Sequence, residues 1–157
     1  MKILSSELLS KGALELCYPL PHELLTLVKK EDWLSIDKLF FELTRPEAHL
    51  TKFLKQFHQF QSIEFTIAIR DSANPDEEDG IWHDDGSRFM AASLSLTLDQ
   101  IEGGVLEVKE KGGKFHYHFP TPRYGNLILF LTGEYNILHK INRVTKGKRV
   151  IVVLWCS

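Results

Sequence analysis

After Ser62 the hydrophobic period of the chain changes from helical to alternating, and from there to the C-terminus the apolar stretches are short and separated by glycine. Phe65 to Ile69 alternates as a half-buried strand does. Phe89 to Leu98, Val105 to Lys109, Lys114 to Phe119, Leu127 to Leu131, Ile137 to Ile141 and Val150 to Cys156 follow, divided by turns holding Gly103-Gly104, Gly112-Gly113, Gly125, Gly133 and Gly147. A parallel sheet needs crossover connections of about a dozen or more residues, and these loops are too short for them. The pattern therefore predicts an α+β chain that is mainly β, folded as an antiparallel double sheet: a jelly roll, or cupin-like double-stranded β-helix.

Residues 1–61 read as a helical flank to a core at 62–157. Gly12 to Tyr18 suits a short strand, closed by Pro19 and Pro21. From His22 to Val28 the leucines and Val28 recur at helical spacing, with Pro21 placed to start the helix. Beyond Pro46, the stripe Leu50, Phe53, Leu54, Phe57 predicts a second helix that packs on a sheet. At 157 residues and 43% apolar content the chain fits a single domain with an adequate core. A net charge of −2 supplies no basic field, so nucleic acid is not expected as a partner. The cationic run Lys140, Arg143, Lys146, Lys148 is a solvated turn between strands. Two cysteines, Cys17 and Cys156, are too few for a disulfide framework, and no apolar run is long enough for a membrane span, so a cytoplasmic protein is expected.

The chemistry gathers at Trp82-His83-Asp84-Asp85-Gly86-Ser87-Arg88. In an extended segment His83 and Asp85, two residues apart, leave the backbone on the same side, where an imidazole and a carboxylate can meet one cation. A second histidine would complete the two-histidine, one-carboxylate face that suits non-haem Fe(II) and leaves coordination positions open. His139, on the penultimate predicted strand, is the candidate. A His-x-Asp triplet also arises by chance, and its context must decide. Asp84 is left to bond the Gly86-Ser87 turn, and Arg88 to pair with Asp84 or Asp99. His116 and His118 form a rival pair two apart, with nothing nearby to complete a ligand set, and read as the polar face of an edge strand or the rim of a pocket. His22, His49 and His58 take structural roles.

Arg149 opens a strand that is otherwise apolar through Leu154. A guanidinium buried there without a partner would cost several kcal/mol, about 3–5 when a buried charge is left unpaired. It therefore calls for an anion, and its planar fork suits a carboxylate of a small dicarboxylate lying between it and the metal. Snorkelling to solvent, or pairing with a glutamate of the chain, would also satisfy it.

The ordered set His83-x-Asp85, Gly103-Gly104-Val105-Leu106-Glu107, Gly125-Asn126-Leu127-Ile128-Leu129-Phe130, Leu138-His139-Lys140-Ile141 and Gly147-Lys148-Arg149 with Leu154-Trp155 resembles the iron- and 2-oxoglutarate-dependent oxygenases of the prolyl-hydroxylase type, from about Phe65 to the C-terminus. The resemblance implies His83, Asp85 and His139 as Fe(II) ligands and Arg149 as the partner of the distal carboxylate of 2-oxoglutarate. It implies a dioxygenase that hydroxylates a C–H bond of a peptidyl substrate, with prolyl as one option, of an amino acid or of another small molecule, consuming O2 and releasing succinate and CO2, with ascorbate as an optional reductant. With Asp85 present no coordination position is left for halide, so hydroxylation is expected rather than halogenation. The first helices would brace the major sheet. Ile137, Ile141, Ile151, Val153 and Trp155 would wall the site, and the acidic loop Asp71 to Gly80 would border its mouth. Many members carry a tyrosine after His-x-Asp that helps hold the cosubstrate; here that position is Ser95. A metal- or ligand-binding module that has kept the site without catalysis is the competing expectation.

Overall fold

The computed structural model describes residues 2–157. Its elements run α1 (Ser6–Lys11), β1 (Ala13–Cys17), α2 (His22–Lys29), α3 (Trp33–Leu43), α4 (His49–Leu54), β2 (Ile63–Asp71), β3 (Met90–Ser95), β4 (Glu102–Gly103), β5 (Leu106–Glu110), β6 (His116–Phe119), β7 (Asn126–Leu131), β8 (Ile137–Ile141), β9 (Val144–Lys146) and β10 (Lys148–Cys156), with a 3-10 turn at Gly133–Tyr135. The major sheet has the order β1-β7-β3-β10-β2 and the minor sheet β6-β5-β8, every pair antiparallel, and β4 pairs with β9. This is the jelly roll expected.

Alternation along the major sheet divides its two faces. Ala91 and Ser93 of β3, with Arg149, Val153 and Trp155 of β10, border an inner cavity. Met90, Ala92 and Leu94, with Val150, Val152 and Leu154, belong to one buried core with Leu24, Val28, Ile36, Phe40, Leu50 and Leu54 of the helices. Phe40 meets Phe65 of β2 with ring centroids 6.1 Å apart. At ~1.5–3 kcal/mol per buried aliphatic or aromatic side chain, the helices contribute on the order of 10 kcal/mol, as much as the net stability of a typical domain. They are a structural brace for the sheet that carries the site.

The flank holds more helix than the sequence pattern suggested. In α3 the stripe Ile36, Leu39, Phe40, Leu43 follows an N-cap at Asp32, whose carboxylate accepts from Ser35 N–H at 3.1 Å. In α1, Ser5 caps the Leu8 N–H, and Gly12, at φ 76°, ends the helix in the left-handed conformation. The helix after Pro46 begins only at His49 and closes at Leu54, so Phe57 lies in the following turn. Because β9 intervenes between β8 and β10, His139 lies on the antepenultimate strand rather than the penultimate one. His49 shares a hydrogen bond with the Tyr18 hydroxyl at 2.9 Å, and the buried His58 bonds Tyr135 at 2.6 Å and stacks on Phe89. Burial pushes His58 below its ordinary pKa, as a neutral structural histidine requires.

Candidate metal centre and anion pocket

The segment before His83 runs along the free edge of β8. Gly80 N–H donates to Ile141 O at 2.8 Å, His83 N–H to His139 O at 3.1 Å, and His139 N–H to His83 O at 2.9 Å. His83 and His139 are thus a directly opposed antiparallel pair, and such a pair projects its side chains to the same face. The imidazole centroids are 4.3 Å apart. Asp85, one alternation beyond His83, joins them: its Oδ1 lies 3.5 Å from His139 Nε2 and 3.9 Å from His83 Nε2.

The donor set is prepared for a cation. Bonds of about 2.0–2.2 Å hold neighbouring donor atoms about 3 Å apart in an octahedron, so an ion would draw these atoms together by only a few tenths of an ångström to about one. His83 Nδ1 lies 2.9 Å from Ile81 O, a contact that places the proton on Nδ1 and leaves Nε2 as a free donor. Burial pushes His139 down to about 4, with His83 acting in the same direction and Asp85 and Asp84 against it, so the ring is neutral near pH 7 and free to coordinate. Asp85 Oδ2 is buried and has no hydrogen-bond partner among the described residues. Asp84 turns away as expected, accepting from Gly86 N–H at 3.0 Å and pairing with Lys111 at 2.9 Å.

Arg149 borders the same cavity, which has a volume of about 150 Å³. The residue is 2% exposed, which excludes snorkelling. Its Nε donates to Thr121 Oγ1 at 3.2 Å, while Nη2 is buried without a partner among the described residues. Burial lowers its pKa to about 10, with Arg70 acting in the same direction and Glu77 opposing, so it stays cationic. Arg70 is its direct cross-strand neighbour. That second guanidinium went unnoticed in the sequence. It pairs with the buried Glu77 at 2.8 Å and donates to Ile141 O at 3.1 Å and to Glu78 O. Glu77 also accepts from Val144 N–H at 3.1 Å, and Asp79 from Arg143 N–H at 2.6 Å. The acidic loop is therefore stapled to β9 and to the turn between β8 and β9, and its one buried carboxylate balances Arg70 and leaves Arg149 for something else.

Apart from Ser93 the remaining lining is hydrophobic, with Leu106, Phe130, Ile141 and Val153 among its members. Of the wall expected, Ile141, Val153 and Trp155 border the cavity, while Ile137 and Ile151 are buried away from it. Ser95 is fully buried, its hydroxyl accepts from Thr97 N–H at 3.2 Å, and the serine that borders the cavity is Ser93. Arg88 pairs with neither Asp84 nor Asp99; it reaches Glu64 at 3.2 Å and lies over the Trp155 ring at 5.0 Å. A larger and more open hollow, about 610 Å³, lies between residues 97–103 and 120–124, and none of the three convergent metal-type donors borders it. His116 and His118 are not without a third group, as the sequence suggested, because Glu107 on the neighbouring strand meets both.

No family model and no curated protein matches the chain. Solved structures do. The chain is similar to a prolyl-4-hydroxylase of Pseudomonas putida at TM-score 0.64 and 17% identity, over 98% of this chain and 92% of that one. It is similar to an oxidoreductase of the 2OG-Fe(II) oxygenase family from Burkholderia pseudomallei at TM-score 0.55 and 16% identity, over 77% of this chain but only 55% of that one. A prolyl hydroxylase of Trichoplax adhaerens, in complex with a hypoxia inducible factor oxygen degradation domain peptide fragment, matches at TM-score 0.55 and 13% identity, over 98% and 87%. The architecture is thus that of the 2-oxoglutarate and iron oxygenases. Two of these three neighbours are prolyl hydroxylases.

Proposed function

We propose that this protein is an Fe(II)- and 2-oxoglutarate-dependent dioxygenase that hydroxylates a C–H bond, with His83, Asp85 and His139 holding the iron and Arg149 holding the distal carboxylate of the cosubstrate. The observation that carries the proposal is the sharing of one small cavity by three convergent metal-type donors and a buried guanidinium with a free Nη2. A binding module has no need of a cation site set in one cavity with a buried, unpaired guanidinium nitrogen and a largely hydrophobic wall.

When bound, iron and 2-oxoglutarate supply the O2 chemistry, with succinate and CO2 as coproducts. The chain supplies geometry and charge. The Ile81 carbonyl holds the tautomer of His83, and burial keeps His139 unprotonated. Asp85 would contribute the single carboxylate of the ligand set, and its presence there favours hydroxylation over halogenation. Arg149 offers its free Nη2 to a carboxylate, while Glu77 neutralises Arg70 beside it. Phe130, Leu106 and Val153 keep water from the reacting face.

The peptide held by the Trichoplax neighbour supports a peptidyl substrate, prolyl in class, ahead of a free amino acid or another small molecule. One core cluster containing residues of both the flank and the strands supports reading the chain as one oxygenase domain. Two free cysteines, Cys17 exposed and Cys156 buried, support a cytoplasmic setting, and among the described residues no helix is long and apolar enough to cross a membrane. In the test, Fe(II) and 2-oxoglutarate are added without oxygen and a weak visible charge-transfer band is sought; O2, with ascorbate present, should then release succinate. Absence of both band and succinate would leave only a binding module.

A further inference from the structure

The outer face of the minor sheet carries a second cluster of metal-type donors. Along β5 and β8, Val108 lies opposite His139 and Glu107 opposite Lys140. Alternation therefore puts Glu107 on the side of the sheet away from the inner site. Across β5 and β6, Glu107 lies opposite His118, with His116 two residues before it on the same face. Both imidazoles aim at one carboxylate oxygen: Glu107 Oε1 is 3.0 Å from His116 Nε2 and 3.0 Å from His118 Nε2. The two rings stack with centroids 4.4 Å apart.

We propose that Glu107, His116 and His118 form a second divalent-cation site, suited to Zn(II), that clamps the edge strand β6 to β5. With metal bonds of about 2.0–2.2 Å, neighbouring donors of a tetrahedral site stand about 3.3 Å apart, close to the spacing already present. The donor set, two imidazoles and one carboxylate with a fourth position open to water, is one that Zn(II) accepts. The carboxylate is preorganised. Lys140 holds its other oxygen at 3.1 Å, which leaves Oε1 for the metal. Burial works against its ionisation, but hydrogen bonds from Lys140, Asn142 and His116 outweigh that and keep it below its usual pKa. The histidines are half exposed, so a proton displaced from either Nε2 can pass to the solvent-facing side of the ring or to water. The ammonium of Lys140 also tempers affinity. His116 further makes an edge contact with Trp82, the residue before His83, so the clamp borders the segment that delivers the inner site.

The test is titration of metal-free full-length protein with Zn(II), followed by calorimetry and by the imidazole resonances of His116 and His118. Wild type should take up two equivalents, one of them at the inner donors. His118→Ala, an exposed substitution that should not disturb folding, should take up one and weaken the second site at least about 100-fold, more than the 10–100-fold lost when an outer hydrogen-bond partner of a ligand is removed. His139→Ala should keep the site that shifts the His116 and His118 resonances. Uptake of a single equivalent by wild type, with those two sets of resonances unmoved, would overturn the proposal. Failure of the oxygenase reading would show instead as absent succinate, with this second equivalent intact.

Discussion

His83 and His139 exchange both backbone hydrogen bonds, at 3.1 and 2.9 Å, although fifty-odd residues of chain separate them. The metal-type face is therefore a property of strand pairing. One imidazole rides on a strand of the minor sheet, the other on a loop laid along its edge, and a change in either alters the spacing of both.

Replacing His139 with alanine removes the buried member of the set. Iron affinity should fall by more than about 100-fold, beyond the range seen when only a ligand's hydrogen-bond partner is lost. Unfolding should remain a single cooperative transition, because the ring's Nδ1 makes no hydrogen bond whose loss would orphan another group. Metal titration and thermal melting check the two halves separately.

Arg149→Met keeps much of the volume and removes the guanidinium. A charged hydrogen bond contributes about 1.5–3 kcal/mol, so the KM for 2-oxoglutarate should rise about 10- to 100-fold. Iron binding should be unchanged. Metal-free stability should hold or rise, since the variant no longer buries a charge that lacks a full set of partners.

Glu77→Gln leaves an acceptor for the Val144 N–H but takes the charge from beside Arg70. Arg70 is partly exposed, so the loss should be about 1–3 kcal/mol rather than the full cost of stranding a buried charge. Amide exchange at Val144 should quicken as the acidic loop loosens from β9.

The folded pKa of His139, about 4, lies below its ordinary 6.5. Between those values the unfolded chain takes up a proton that the folded chain refuses. Stability of the metal-free protein is therefore full above pH 6.5 and falls as the pH drops toward 4, by on the order of 3 kcal/mol. Urea unfolding across this interval should show the slope in wild type and a flatter profile in His139→Gln.

Gly133 supports the site from outside it. A Cβ there would stand 1.9 Å from Gly86 O and 2.8 Å from Arg88 O, against the turn that follows Asp85. Gly133→Ala should displace that turn, weaken iron binding although residue 133 touches no metal, and cost about 1–3 kcal/mol in stability. Unaltered metal affinity in this variant would mean that the turn does not set the position of Asp85.

The strands after Ser62, the His-x-Asp pair and the lone arginine opening an apolar strand were legible in the sequence, because alternation, glycine turns and two-residue spacing are local properties of the backbone. Arg70 with Glu77 was not legible, nor were Glu107 between His116 and His118, Glu64 as the partner of Arg88, or Gly133 beneath Gly86. Each of these depends on which strands become neighbours and in what register, and a shift of one residue would send every side chain of a strand to the other face. The sequence by itself determined a glycine-punctuated β-rich chain and the residue types able to hold a metal and an anion. Only the tertiary structure decided that they share one chamber, because burial of the helices on one face of the major sheet fixes which side of β3 and β10 is left to line it.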